Sequence, residues 1–303
     1  MFYKKMLLML FISLSAFFYS YAQEDNDTSA VQDTTWTEFH HNHWGWHLDL
    51  LQDEFRGRPT IDVSYGLSKL SQNGLDGSFA NPNMMEIKLG YTNLESSWYA
   101  DNILRYKFKY FLLSNITTDL SNNSTSNNSY NTDLWRFGFG WASGYGYKLS
   151  SVVKIIPYYD YAIDWSQLQM KSNPIDLNDK SVTDLYNNSF RFGTSMEGGI
   201  KINILPQIQI GAGYERSIIF PRHIFWKWVG SALVECAGQW GIDSFVEKIM
   251  DHSPYAGPVV SFVLKNALSY GVYELRKDKM NWPFDSAAPL FYDQLKFGVT
   301  FVF

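Results

Sequence analysis

The chain has little of several things that define other protein classes. A single cysteine, Cys236, stands among 303 residues, which excludes a disulfide-stapled scaffold. Beyond the N-terminus there is no stretch of about 20 apolar residues, the length a helical span requires, so a polytopic helical membrane protein is excluded. Charged residues make up only 18% of the chain, with 25 Lys and Arg against 30 Asp and Glu, and this acidic balance argues against a nucleic-acid-binding protein. Aromatics are abundant instead, with 22 Phe, 20 Tyr and 11 Trp, and that argues against disorder. At a mean hydropathy of −0.22, such a chain is either a β-rich soluble domain or a membrane β-barrel.

Residues Met1 to Ala22 join a basic start (Lys4, Lys5) to an apolar run from Met6 to Phe18 and small residues at Ser20 and Ala22. This is the layout of a secretory signal peptide, so 1–22 is expected to be one. No cysteine follows the expected cut, so lipoprotein anchoring is not indicated. Cys236 would then pass alone through an oxidising compartment and is expected as a buried small apolar residue.

From residue 58 onward eight segments alternate apolar and polar positions over the length that a tilted strand needs to cross a bilayer. In Trp135 to Leu149 one face carries Trp135, Phe137, Phe139, Trp141, Tyr145 and Tyr147, and the other carries Arg136, Gly138, Gly140, Ala142, Gly144, Gly146 and Lys148. Such very small residues on the second face suit the crowded lumen of a narrow barrel. Elsewhere Ile61, Val63, Tyr65 and Leu67 oppose Asp62, Ser64, Gly66 and Ser68, while Leu104, Tyr106, Phe108, Tyr110 and Leu112 oppose Arg105, Lys107 and Lys109. The last segment sets Leu295, Phe297, Val299, Phe301 and Phe303 against Lys296, Gly298, Thr300 and Val302. Long and short connections alternate between the segments, the asymmetry of a barrel with long external loops and short periplasmic turns.

These features resemble the outer-membrane β-barrel proteins of Gram-negative bacteria, and among them the small OmpA-, OmpX- and OmpW-like barrels. The resemblance implies an all-β fold with a helical insertion: an antiparallel eight-stranded transmembrane β-barrel in the cell outer membrane, with outer-membrane lipids as partners. The segment Leu295 to Phe303 resembles the signal read by the barrel-assembly machinery, a second implied partner. No cofactor and no nucleic acid are expected, and the oligomeric state is left open.

The polar faces place ten bases inward (Lys88, Arg105, Lys107, Lys109, Arg136, Lys148, Lys154, Arg191, Lys201 and Lys296) and six acids (Asp62, Glu86, Asp160, Asp164, Glu197 and Glu215). Eight strands leave room for side chains or one small ligand. These charges are therefore expected to pair and fill the lumen, with Arg105, Lys107, Lys109, Arg136, Arg191, Glu197 and Glu215 as the candidate ligand or lumen site. The alternative is a channel for anions or small hydrophobic molecules.

Residues 23–57 read as a periplasmic leader with an aromatic, His-rich segment, in which His40, His43 and His47 share a face if helical and are candidate metal ligands. Residues 221–293 are expected as a largely helical insertion before the last strand, outside the cell or in the barrel mouth. Within it Val259 to Leu275 is open to a second reading, as a hairpin that would make ten strands. The eight strand segments contain no histidine, so catalysis is not expected. The enzymatic alternative is a lipid hydrolase at the rim using His223.

Overall fold

The computed structural model describes residues 57–121, 129–172, 174 and 176–303. The expected signal peptide, the leader up to residue 56, and His40, His43 and His47 lie outside the described residues. Among the described residues ten strands and three α-helices follow in chain order: β1 (Arg58–Gln72), β2 (Ser78–Phe79), β3 (Asn83–Ser97), β4 (Ala100–Thr117), β5 (Ser129–Tyr130), β6 (Thr132–Lys148), β7 (Lys154–Met170), α1 (Leu177–Thr183), β8 (Phe190–Leu205), β9 (Ile208–Ile219), α2 (Phe225–His252), α3 (Gly257–Asp278) and β10 (Leu290–Val302).

Eight of the strands close into one antiparallel barrel in the order β1-β10-β9-β8-β7-β6-β4-β3, while β2 and β5 form a small parallel pair among the loops. Closure comes from β1, which pairs with β3 on one edge (Val63 opposite Ile87) and with β10 on the other (Val63 opposite Val299). The Arg58 side chain fastens this seam by donating to the carbonyls of Phe303 and Val302 at 3.0 and 3.1 Å. The ten-strand alternative does not occur, because Val259 to Leu275 lies within helix α3.

The period-2 pattern becomes two surfaces. On β1, β3 and β10 the large apolar side chains Ile61, Val63, Tyr65, Leu67, Met85, Ile87, Leu89, Leu295, Phe297 and Val299 are 37% to 54% exposed on the outer wall. So much contiguous apolar surface has no place in water and forms the lipid-facing band of a transmembrane barrel. Their neighbours Asp62, Ser64, Glu86, Lys88 and Lys296 point inward and are buried.

At the long-loop end an apolar layer seals the interior. Leu70, Met84, Ile116, Leu134, Leu168, Ile219 and Leu290, one from each of seven barrel strands, pack beneath Phe79 and Tyr186 of the loops. Asp179 of α1 ties those loops together by accepting from the amides of Asp76 (2.8 Å) and Gly77 (2.9 Å) and from the Tyr130 hydroxyl (2.6 Å). Burial alone would raise the Asp179 carboxyl, but these three donors outweigh it and hold the group below its ordinary pKa.

Helices α2 and α3 form an antiparallel hairpin, and its position differs from the expected one outside the cell or in the mouth. The hairpin lies along the outer wall of the barrel, with α3 against β6, β7, β8 and β9 and α2 beside it. Trp228 of α2 packs with Ile218 and Phe220 at the long-loop end, and Val246 and Met250 pack with Ile103, Tyr145 and Tyr147 at the short-turn end. Cys236, expected to be buried, is exposed on α2. The wall beneath the hairpin accommodates it: outward-facing Thr194, Met196 and Ile218 are buried, and a Cβ at Gly198 would strike the Asn266 side chain.

Candidate functional site

The inward faces of the strands converge on one hydrogen-bonded charge network. Arg136 of β6, fully buried, stands at its upper end. Its guanidinium donates to Glu86 at 2.5 Å, to Glu215, to the Tyr292 hydroxyl at 2.6 Å and to Ser114 at 3.0 Å. One layer further toward the short turns the Lys296 ammonium donates to Glu86 (2.5 Å), Glu197 (2.8 Å) and Glu215 (2.8 Å), which uses all three of its protons. Lys88 donates to Asp160 at 2.7 Å and to Glu197 at 3.2 Å. Below it Lys201 bonds Asp62 and the Thr300 hydroxyl, which itself donates to Asp62.

Aromatic side chains complete the packing. Tyr110 donates to Asp160 at 2.7 Å, Tyr158 donates to Glu197, and the ammonium of Lys88 sits 4.5 Å from the centre of the Tyr110 ring. Tyr106, Phe108, Ile156 and Tyr158 then close the interior toward the short turns. A cavity of about 20 Å³ remains among Lys88, Phe108, Tyr158 and Lys201, room for about one water molecule. A vestibule of about 160 Å³ opens beyond it at the short-turn mouth, lined by Arg58, Asn93, Lys154 and Gln209.

The network gathers Lys88, Arg136, Lys201 and Lys296 with Asp62, Glu86, Asp160, Asp164, Glu197 and Glu215, all buried. Four bases thus face six carboxylates. Of the expected site residues, Arg136, Glu197 and Glu215 are members. Arg191 points inward above them at the long-loop end, opposite Ser166. Glu86, Glu197 and Glu215 approach one another closely enough to hold a metal ion, but the cation they surround is the ammonium of Lys296.

Arg105, Lys107 and Lys109 are placed differently from expectation. Strand β4 buries Leu104, Tyr106, Phe108, Tyr110 and Leu112 in the lumen, so the three basic residues stand on its outer wall, with Arg105 over the ring of Trp98. Lys148 and Lys154 face each other across the β6–β7 turn. The inward aromatics of β4 are the reverse of the expected parity. The signal was in their neighbours: a Cβ at Gly140 would lie 2.3 Å from the Tyr110 hydroxyl, just as one at Gly199 would lie 2.5 Å from the hydroxyl of Tyr158 on β7. Glycines on a lumen face mark where a large side chain from elsewhere in the barrel comes to rest.

His223, between β9 and α2, packs its ring against Phe192 and Trp228, with centroids 4.8 and 6.0 Å apart. Desolvation there lowers its pKa.

A closed eight-stranded barrel with an apolar outer band and a hydrogen-bonded charged interior defines an integral outer-membrane β-barrel protein. Residues 47–230 match the family model described as "Outer membrane protein beta-barrel domain". The chain belongs to that family, and its location is the cell outer membrane. Among solved structures the chain is similar to Neisserial surface protein A, at 10% identity, with 81% of this chain and 97% of the other covered and a TM-score of 0.38. It is also similar to Ail, the attachment invasion locus protein of Yersinia pestis, at 10% identity, with 82% and 99% covered and a TM-score of 0.32. The chain matches no curated protein.

Proposed function

We propose that this protein is a non-conducting, non-catalytic outer-membrane barrel with a structural or surface-interaction role exercised through its long-loop end. The observation that carries this reading is the closed interior. Among the described residues the apolar layer under the loops, the charge network and the aromatic layer fill the interior down to a cavity of about 20 Å³. Opening a path through it would separate paired charges at low effective dielectric, which costs several kcal/mol per pair. The carboxylate excess of the buried network also removes the reason for an anion constriction. Purified protein in planar bilayers is expected to give no stepwise conductance at neutral pH; regular single-channel steps would overturn the reading.

The outer-wall bases belong to the same proposal as contacts for lipid phosphate. Arg105 and Lys107 lie on the short-turn half of β4 and Lys109 just past its midpoint, with Arg105 next to outward Tyr145 and Lys109 next to outward Trp141 of β6. Long basic side chains at that depth reach the headgroups of the leaflet there. Each contributes about 1 kcal/mol of attraction to an anionic surface. Lys107→Gln combined with Lys109→Gln is expected to slow insertion into vesicles containing phosphatidylglycerol while leaving insertion into phosphatidylcholine unchanged. Equal slowing in both lipids would refute the assignment.

A further inference from the structure

The hairpin of α2 and α3 is inside out by the standards of a helix pair in water. Its polar groups run down the seam between the helices: Arg276 donates to Glu235 at 2.8 Å, Gln239 to Ser269 at 3.1 Å, and Lys265 lies 2.6 Å from Asp243. Ser231 continues the seam by accepting from Arg276 and donating to the Trp282 carbonyl at 2.6 Å. The surface turned away from the barrel is apolar. Between Trp228 and Val246 the exposed surface of α2 includes Leu233, Val234, Trp240 and Phe245, and its one partly exposed charge, Asp243, is paired with Lys265 of α3. Among the described residues, unpaired exposed charge returns at Glu247, Lys248 and Asp251. On α3 the exposed residues Val259, Val263, Ala267, Tyr270 and Gly271 are uncharged, and the first partly exposed acid, Glu274, is paired with Lys277 in the last turns.

The length of this surface matches the barrel. Trp228 packs at the long-loop edge of the wall and Val246 at the short-turn edge. At 1.5 Å per residue the helix between them spans about 27 Å. That is the height of the lipid-facing band of an outer-membrane barrel, about 25 Å. The wall underneath is built for helices, because outward-facing Arg216 and Asp293 are taken up by the hairpin. Arg216 lies over the Tyr270 ring at 4.8 Å, and Tyr273 donates to Asp293 at 2.9 Å. Among the described residues no helix is long and apolar enough to cross a membrane. A hairpin that hides its polar side against its own seam and a barrel wall does not need that average apolarity.

We propose that the α2–α3 hairpin lies in the acyl-chain layer of the outer membrane, its outer face in contact with lipid, so that the longest connection of the barrel is a membrane-embedded flank. In that position it replaces lipid over β6 to β9 and screens the polar outer residues of those strands. Cys236, the sole cysteine and exposed midway along α2, allows the test in the unmodified chain. The full-length protein is spin-labelled at Cys236 and folded into vesicles of phosphatidylethanolamine and phosphatidylglycerol. Collisions with oxygen and with nickel ethylenediaminediacetate are then measured. The expected result is loss of nickel collisions with oxygen collisions retained, matching Val63→Cys in a Cys236→Ala background. Leu233→Cys in the same background should behave alike, which guards against a local effect of the label. Nickel accessibility equal to that of an Asp76→Cys loop site would overturn the proposal. So would exclusion of both reagents with dipolar broadening between labels, which would assign the face to a second copy of the chain.

Discussion

Arg136→Met is expected to lower the unfolding free energy of the barrel by about 3 to 5 kcal/mol, the usual loss when one partner of a buried ion pair is removed. The guanidinium holds Glu86, Glu215, Tyr292 and Ser114 together, contributed by β3, β9, β10 and β4. Methionine fills a similar volume and returns none of those bonds. Glu86 and Glu215 would keep Lys296, but that ammonium already serves Glu197 as well, so negative charge would be left in excess in a space too small for solvent. Urea titration of the folded protein in vesicles, followed by its gel mobility before and after heating, reads the change. Adding Glu215→Gln should recover part of the loss, because neutralising the acceptor removes the stranded charge, and the two effects should be less than additive. A loss under about 1 kcal/mol, the size measured for exposed pairs, would mean that water enters the network and that the interior is not closed.

Much of the barrel was legible because one physical contrast is repeated in each clean strand. On β1, β3 and β10 one face must satisfy lipid and the other a narrow polar lumen, so Ile61 against Asp62 or Phe297 against Lys296 reads without ambiguity. Strand β4 carries apolar groups on both faces, since Phe111 and Leu113 are outward while Tyr110 and Leu112 are inward. Its parity is set by registry with β3 and β6, where Gly90 and Gly140 flank Tyr110, and registry is a relation between strands that one strand does not carry. The basic triplet on β4 therefore looked like lumen when read alone. Helical periodicity was legible in the α2 region, whereas the β-branched and Tyr content of Val259 to Leu275 fits helix or hairpin, and the address of the helix pair was not legible at all. A long connection can fold outward, into the mouth or back along the wall, and the choice is written in the wall. Thr194, Gly198, Arg216 and Asp293 are outward residues that lipid would not favour, and a helix pair covers them.

The glycines of the lumen face supply the second large effect. A Cβ placed on Gly90 would lie 1.9 Å from the Lys109 carbonyl oxygen and 2.7 Å from the Tyr110 Cα, both backbone atoms of the adjacent strand. No rotamer change relieves that contact, so any larger residue must push β3 and β4 apart where β4 carries the tyrosine that donates to Asp160. Gly90→Val should therefore cost at least about 3 kcal/mol, the upper part of the range for overpacking, and the variant should migrate on gels as unfolded protein without heating. Gly271 on α3 is the internal control, since nothing lies within 4 Å of a Cβ built there. Gly271→Ala should raise stability by about 0.5 to 1 kcal/mol, because alanine loses less backbone entropy in a helix. Gly90→Val adds an isopropyl group and Gly271→Ala a methyl, and they are expected to move stability in opposite directions because one site is a strand contact and the other an open helix surface. If Gly90→Val folded as stably as the parent protein, β3 and β4 could not approach as closely as the register of Gly90 against Tyr110 requires. The inward position of the β4 aromatics, and with it the closed lumen, would then have to be abandoned.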